Sequence, residues 1–170
     1  NLATFYGSVL SEYILDEINI ESMGYLMALT PNHEVNSLAV QYFTPYFGKR
    51  KVFQLATNRE DRKDDFASDL MGEVPFGEDV SHNTLISKIN AGGEIRVDLI
   101  DAEFDQAEFE LRVRDGLCLP MFSISPKAEL VVLMGDKREK FQLGDRLLYL
   151  DSSAQATAMD SDQSQTIYLN

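Results

Sequence analysis

The sequence predicts an α/β protein: a short parallel sheet wound with helices, followed by a small α+β module with antiparallel strands. Three observations carry this expectation. Residues 2–56 alternate brief apolar runs with amphipathic stretches in the order strand, helix, strand, helix, strand, the order of a parallel sheet with right-handed crossovers. Residues 58–77 are dense first in charge and then in turn formers. Beyond them come two helical patterns and four strand patterns, and Ser125-Pro126-Lys127-Ala128 stands as a hairpin turn between two of the strands.

The first strand is Leu2-Ala3-Thr4-Phe5-Tyr6, ending at Gly7-Ser8. Ser11 caps a helix over Glu12–Ile18, with Leu10 and Leu15 placed as a hydrophobic staple. Tyr25-Leu26-Met27-Ala28-Leu29 is a continuous apolar run, the pattern of a strand covered on both faces. Thr30 then stands at N-cap and Pro31 at N1, where the missing N–H would have had no intrahelical partner. Val35, Leu38, Ala39, Tyr42 and Phe43 make one apolar stripe on the helix that follows. Lys51–Ala56 is the third strand. A strand running into a helix this way aims unpaired N–H groups at the crevice where open α/β sheets bind ligands. An ordinary unliganded turn explains the pattern equally well.

The charged run Asn58–Asp69 carries a single large apolar residue, Phe66, and reads as a connector. Asp79 is placed to cap a helix over Val80–Asn90, which Gly92-Gly93 stops. Ile95–Ile100 alternates with period two, the mark of a half-buried strand. Phe104–Arg114 is helical and ends at Gly116; Leu119–Ile124, Leu130–Met134 and Leu147–Leu150 are strands. The expected units are 1–58, a connector 59–77, a module 78–150 and a disordered tail 151–170, in which Thr166–Leu169 could add a strand.

Composition excludes several classes. Of 170 residues, 44% are hydrophobic and 25% charged, which is a globular balance. No apolar run reaches membrane-spanning length, and there is no signal peptide. The chain starts on a strand without a methionine, as a fragment of a longer protein would. A net charge of −13 repels nucleic acid and anionic lipid, so neither nucleic-acid binding nor direct membrane insertion is expected. The basic clusters Lys49-Arg50-Lys51 and Lys137-Arg138-Glu139-Lys140 read as solvated loops. Cys118, the single cysteine, has no internal disulfide partner and fits a reducing compartment.

Catalytic chemistry finds no foothold. The two histidines, His33 and His82, read more readily as exposed or capping residues than as bases. Cys118 lies beside apolar strand residues, as a buried structural thiol does. The acidic groups Glu103-Asp105-Glu108-Glu110 and Glu60-Asp61-Asp64-Asp65 lack a calcium-loop pattern, and no Cys/His spacing suggests zinc. The expectation is therefore no enzyme, no catalytic residue and no metal. No G-x-G-x-x-G is present either. What remains is part of a pocket, with Gly7 and Ser8 after one strand and Thr30 and Asn32 after the next.

YGS, a helix, INIESMG, ALTPNHEVNSLAVQYF and KVFQLA together resemble the second half of an RCK (regulator of potassium conductance) nucleotide-binding domain. The flavour is that of the cytoplasmic C-terminal region of bacterial sodium/proton antiporters. PFGEDVSHNTLISKINAGGEIR and LPMFSISPKAELVVLMGDKREKFQLGDRLLYL resemble the following β-rich portion more loosely, so the likeness covers Leu2–Leu150. It implies a truncated Rossmann-like parallel sheet, the family's phosphate loop lying upstream of Asn1, and no cofactor held by this fragment. NAD(H) or an adenine nucleotide would be the ligand of the full-length protein, though Ser8 stands where the family usually carries an acidic residue. The resemblance further implies a cytosolic regulatory domain of a monovalent cation/proton antiporter at the inner membrane. Its transmembrane antiporter domain would lie in the same polypeptide. A homodimer is expected, meeting near the N-terminal strand and the helix after Thr30. Two other functions fit the same residues: a fragment of an NAD-dependent oxidoreductase, or the cytosolic gating subunit of a potassium channel or uptake system.

Overall fold

The computed structural model describes residues 4, 6–8, 11, 20–57, 72–135 and 141–153. The chain is mixed α/β, with a two-stranded parallel sheet and a four-stranded antiparallel sheet. It divides into two compact units, Asn1–Val74 and Pro75–Asn170. Most of the expected strand Leu2–Tyr6, the helix Glu12–Ile18, the charged run 58–71 and the tail 154–170 lie outside the described residues.

In the first unit, β1 (Leu26–Ala28) and β2 (Val52–Gln54) pair in parallel, with Ala28 opposite Gln54. Helix α1 (His33–Phe47) connects them. Its cap is Asn32, whose side chain accepts from the Val35 N–H at 2.9 Å. This corrects the expected Thr30 cap: the helix starts two residues later, and Pro31 precedes it. The buried face is Asn36, Ala39, Val40 and Phe43, while Leu38 of the expected stripe is exposed. The helix also runs over Pro45 to Phe47, where Gly48 at φ 81° donates its N–H to Thr44 O. Only β2 is buried throughout; Leu26 and Met27 of β1 are half-buried, less covered than their apolar run predicts. Ala28, Ala39 and Phe43 form a core with Leu26, Tyr42 and Phe47 packed around it.

The chain returns beside β2 at Gly72-Glu73. The Gln54 N–H donates to Glu73 O, and the Glu73 N–H donates to Val52 O, each at 3.0 Å. A Cβ at Gly72 would sit 2.8 Å from Val52 O, so only glycine lets the two backbones approach this closely.

In the second unit the strand order is β3 (Glu94–Leu99), β6 (Arg146–Asp151), β4 (Cys118–Ile124), β5 (Leu130–Val132), every neighbour antiparallel. Helix α2 (His82–Asn90) is capped by Ser81 and not by Asp79. Ser81 and Thr84 form a reciprocal capping box, which satisfies two N–H groups where a lone aspartate would satisfy one. Helix α3 (Gln106–Arg114) starts at Asp105, whose carboxylate accepts from the Glu108 N–H. It buries Phe109 edge-on against Tyr149, with ring centroids 5.2 Å apart, in a core with Ile100, Cys118, Leu133 and Leu147. Pro120 has no N–H to give the ladder, and the β4–β6 register shifts between Pro120 and Phe122.

Two expectations fail in this unit. The period-two pattern of β3 is real, yet Ile95, Val97 and Leu99 are each more than half exposed. The strand lies at the sheet edge, and α3 packs through Phe109 on the opposite face, the one carrying Tyr149. The tail expectation is also too early: Asp151 ends β6 and is buried, as is Ser152.

Candidate functional site

The polar turn between β1 and α1 is held from both sides. Asn36 Oδ1 accepts from the Thr30 N–H at 3.2 Å and the Thr30 hydroxyl at 2.6 Å, and Asn36 Nδ2 donates to Thr30 O at 2.9 Å. Asn36 is buried within the helix face, so its amide hydrogen bonds form in a low-dielectric setting. The Thr30 hydroxyl also accepts from the Asn32 N–H at 3.3 Å. Beside this latch stands His33, the first helical residue. Its Nδ1 and Nε2 lie 3.0 and 3.3 Å from the hydroxyl of Thr57, which follows β2. His33 and Thr57 thus meet beyond the carboxyl ends of two parallel strands, beside the amino end of α1. That is where ligands bind in open α/β sheets.

Of the residues named from sequence, Thr30 and Asn32 sit together in this turn. Gly7 and Ser8 are exposed, and the Ser8 carbonyl accepts from the Ser11 N–H. Asn36, His33 and Thr57 were missed as site residues. Asn36 could have been found: it stands three, four and seven positions before Ala39, Val40 and Phe43, a polar member of the buried stripe.

β2 adds an unusual feature. The Gln54 side chain is fully buried, and neither amide atom has a hydrogen-bond partner among the described residues. Natural interiors contain few such groups, because each leaves a desolvation cost uncompensated.

A charged network occupies the other unit. Asp151 receives Arg96 Nε at 3.1 Å and Arg112 Nη2 at 3.2 Å, and the Ser153 hydroxyl and N–H. Burial pushes the Asp151 carboxyl up, but the Ser153 hydrogen bonds and the two guanidinium groups outweigh it and hold it below the ordinary carboxylate range. Tyr149 donates to Asp98 at 2.8 Å; burial and that carboxylate push the phenol up to about 12. Burial likewise pushes the Cys118 thiol up, which suits a structural cysteine and not a nucleophile. An open cleft of about 420 Å³ beside β4 and β5 is lined by Ser123, Ser125, Glu129, Phe141 and Asp145 among others.

Among the described residues no group of His, Cys, Asp and Glu could hold a metal ion. Two of the acidic residues near α3 have structural partners: Asp105 is the cap, and Glu110 accepts from Gln106 Nε2. No helix among the described residues is long and apolar enough to cross a membrane. No protein-family model and no curated protein matches the sequence. Among solved structures the chain is similar to the crystal structure of the GsuK RCK domain, at 18% identity and a TM-score of 0.35 over 95% of this chain. This chain spans 37% of the length of that one.

Proposed function

We propose that the chain is a regulatory domain of a monovalent cation transport system and, more finely, the cytosolic regulatory part of a sodium (cation)/proton antiporter. The observation that carries this reading is the latched turn of LTPNHEVN, the stretch with the most distinctive family resemblance. Thr30, Asn32 and Asn36 fix that turn, and His33 meets Thr57 across the strand ends. A ligand seated there in the full-length protein, of the NAD(H) or adenine-nucleotide class, would complete its pocket with residues outside this chain. Binding would act by favouring one of two conformations coupled to the transporter. The chain performs no covalent step, works at the cytoplasmic face of the membrane, and assembles as a homodimer.

The test is cation flux in vesicles carrying the full-length protein, with and without residues 1–170. Loss of the chain should change the flux or its ligand dependence, and the flux should be coupled to protons. Ligand-dependent potassium flux without proton movement would transfer the reading to a gating subunit. Unchanged transport would remove the regulatory reading altogether.

A further inference from the structure

β3 is the terminal strand of the antiparallel sheet. Among the described residues β3 pairs only with β6. Both backbone groups of Ile100 are used on that side: its N–H donates to Asp145 O and its carbonyl accepts from the Gly144 N–H, each at 2.8 Å. The register of β3 against β6 has no bulge. Hydrogen-bonding direction therefore alternates along it, and Ile95, Val97 and Leu99 present their N–H and C=O groups outward. β6 obeys the same alternation, with Ser152 donating away from β3 to Leu117 O.

The side chains of those same three residues form an apolar row, exposed by 56%, 56% and 54%. Arg96 and Asp98 stand on the opposite face, towards Asp151 and Tyr149. Natural edge strands are blunted by charged side chains, proline, bulges or covering elements. β3 has no proline and no bulge, and its charges, Glu94, Arg96 and Asp98, alternate with the apolar row and stand on the other face.

We infer that β3 is a self-association edge, and that its partner is β3 of a second copy, antiparallel about a two-fold axis at Val97. In that register Val97 faces Val97, and Ile95 faces Leu99 of the second copy. These are the positions whose backbone groups point outward, so they become the hydrogen-bonded pairs. Arg96 then faces Asp98 of the second copy at a non-hydrogen-bonded position, where side chains come closest and opposite charges stabilise the pair. The charges also fix the register. Sliding one way sets Arg96 against Arg96; sliding the other sets Asp98 against Asp98. A shift by a single residue would flip the apolar row to the charged face. The contact is isologous, as a two-fold demands. It joins two four-stranded sheets into one. A strand pair of this length lies at the small end of specific interfaces, so the association is expected to be weak. It names a contact for the homodimer proposed above and does not depend on the regulatory role.

Sedimentation of the whole 170-residue chain between roughly 5 and 200 µM, the range suited to a small interface, should show reversible monomer–dimer exchange. Val97→Pro removes an outward N–H that no bond among the described residues uses, and should leave the chain monomeric with its circular dichroism retained. Val97→Lys, which sets two cations on the axis, should do the same if proline disturbs the strand. Val97→Cys should form a disulfide-linked dimer on mild oxidation. Val131→Cys, on the exposed opposite edge strand, should not. A chain monomeric throughout the range overturns the inference; residues 154–170 or another partner would then be the occupant to seek. It is equally overturned by a dimer that survives both Val97 variants, or by equal cross-linking at positions 97 and 131.

Discussion

Asn36 closes on Thr30 across the βα turn through both ends of its amide, accepting from the Thr30 N–H and hydroxyl and donating to the Thr30 carbonyl. The pairing fixes where β1 stops and how the chain enters α1. Asn36→Leu preserves approximate volume but leaves three polar groups of Thr30 to find water. Because Thr30 is exposed, part of that cost is recovered, and the net loss should be about 1–3 kcal/mol. The urea midpoint of the first unit's transition should fall with its slope unchanged. A midpoint equal to wild type would mean that the turn holds without the latch.

The Gln54 amide, without a hydrogen-bond partner among the described residues, predicts the opposite sign. Gln54→Met keeps the side-chain length and removes both buried polar atoms. With 0% exposure at this position, the substitution should stabilise the protein by about 1–3 kcal/mol, the usual cost of an unsatisfied buried group. Thermal unfolding measures this directly. A lower melting temperature would show that the amide has a polar partner worth keeping.

How much of this was legible in the sequence depended on whether a signal was local. The order of β1, α1 and β2, and the β4–β5 hairpin around Ser125–Ala128, follow from apolar periodicity and turn chemistry, and the structure places them there. Helix starts were misread because caps compete locally. Thr30 and Asp79 are competent capping residues, but Asn32 reaches the Val35 N–H and Ser81 has Thr84 to answer it. The α1 stripe was misplaced because apolar spacing alone left out the polar Asn36, which is buried. The Asp151 network could not be read at all, since strand order brings Arg96 to Asp151 and the packing of α3 brings Arg112. The β3 alternation was correctly seen, but period alone does not say whether an apolar face is covered.

Gly135 should tolerate no side chain. Its φ is 72°, and a Cβ there would lie 2.4 Å from Phe76 O and 2.8 Å from the Gly77 Cα. Backbone cannot yield as a flexible side chain can. The approach also carries the Phe76 N–H to Leu133 O at 2.7 Å and sets the Phe76 ring edge-on against Phe122. Gly135→Ala combines left-handed strain of about 1 kcal/mol with displacement of Phe76, a fully buried side chain. The second unit should lose roughly 3 kcal/mol or more, in the range of core disruption. Gly92→Ala, at φ 94° with nothing within 4 Å of its Cβ, isolates the strain alone and should cost about 1 kcal/mol. If both variants unfold at the same denaturant concentration, the close approach at Gly135 contributes nothing.

The Asp151 network makes stability depend on pH in a defined direction. The carboxyl of Asp151 titrates below its ordinary range in the folded chain, so on acidification the unfolded chain takes up its proton first. Its contribution is therefore fully present above the unfolded carboxylate pKa of about 4 and is lost as pH falls through the folded value. Asp151→Asn keeps the shape but removes the charge facing Arg96 and Arg112. Removing one member of a buried ion pair can cost 3–5 kcal/mol. Arg96 is more than half exposed here, so about 1–3 kcal/mol is expected near neutral pH, the cost of leaving Arg112 partly buried without its partner. The free-energy difference between wild type and Asp151→Asn should be constant from pH 6 to 8 and shrink below about pH 4. Arg112→Met should reproduce the acid dependence of Asp151→Asn more closely than Arg96→Met does, because Arg112 is the less exposed of the two and also bonds the Ser153 hydroxyl. Parallel stability curves for wild type and Asp151→Asn across that acid limb would exclude Asp151 as the group that sets it.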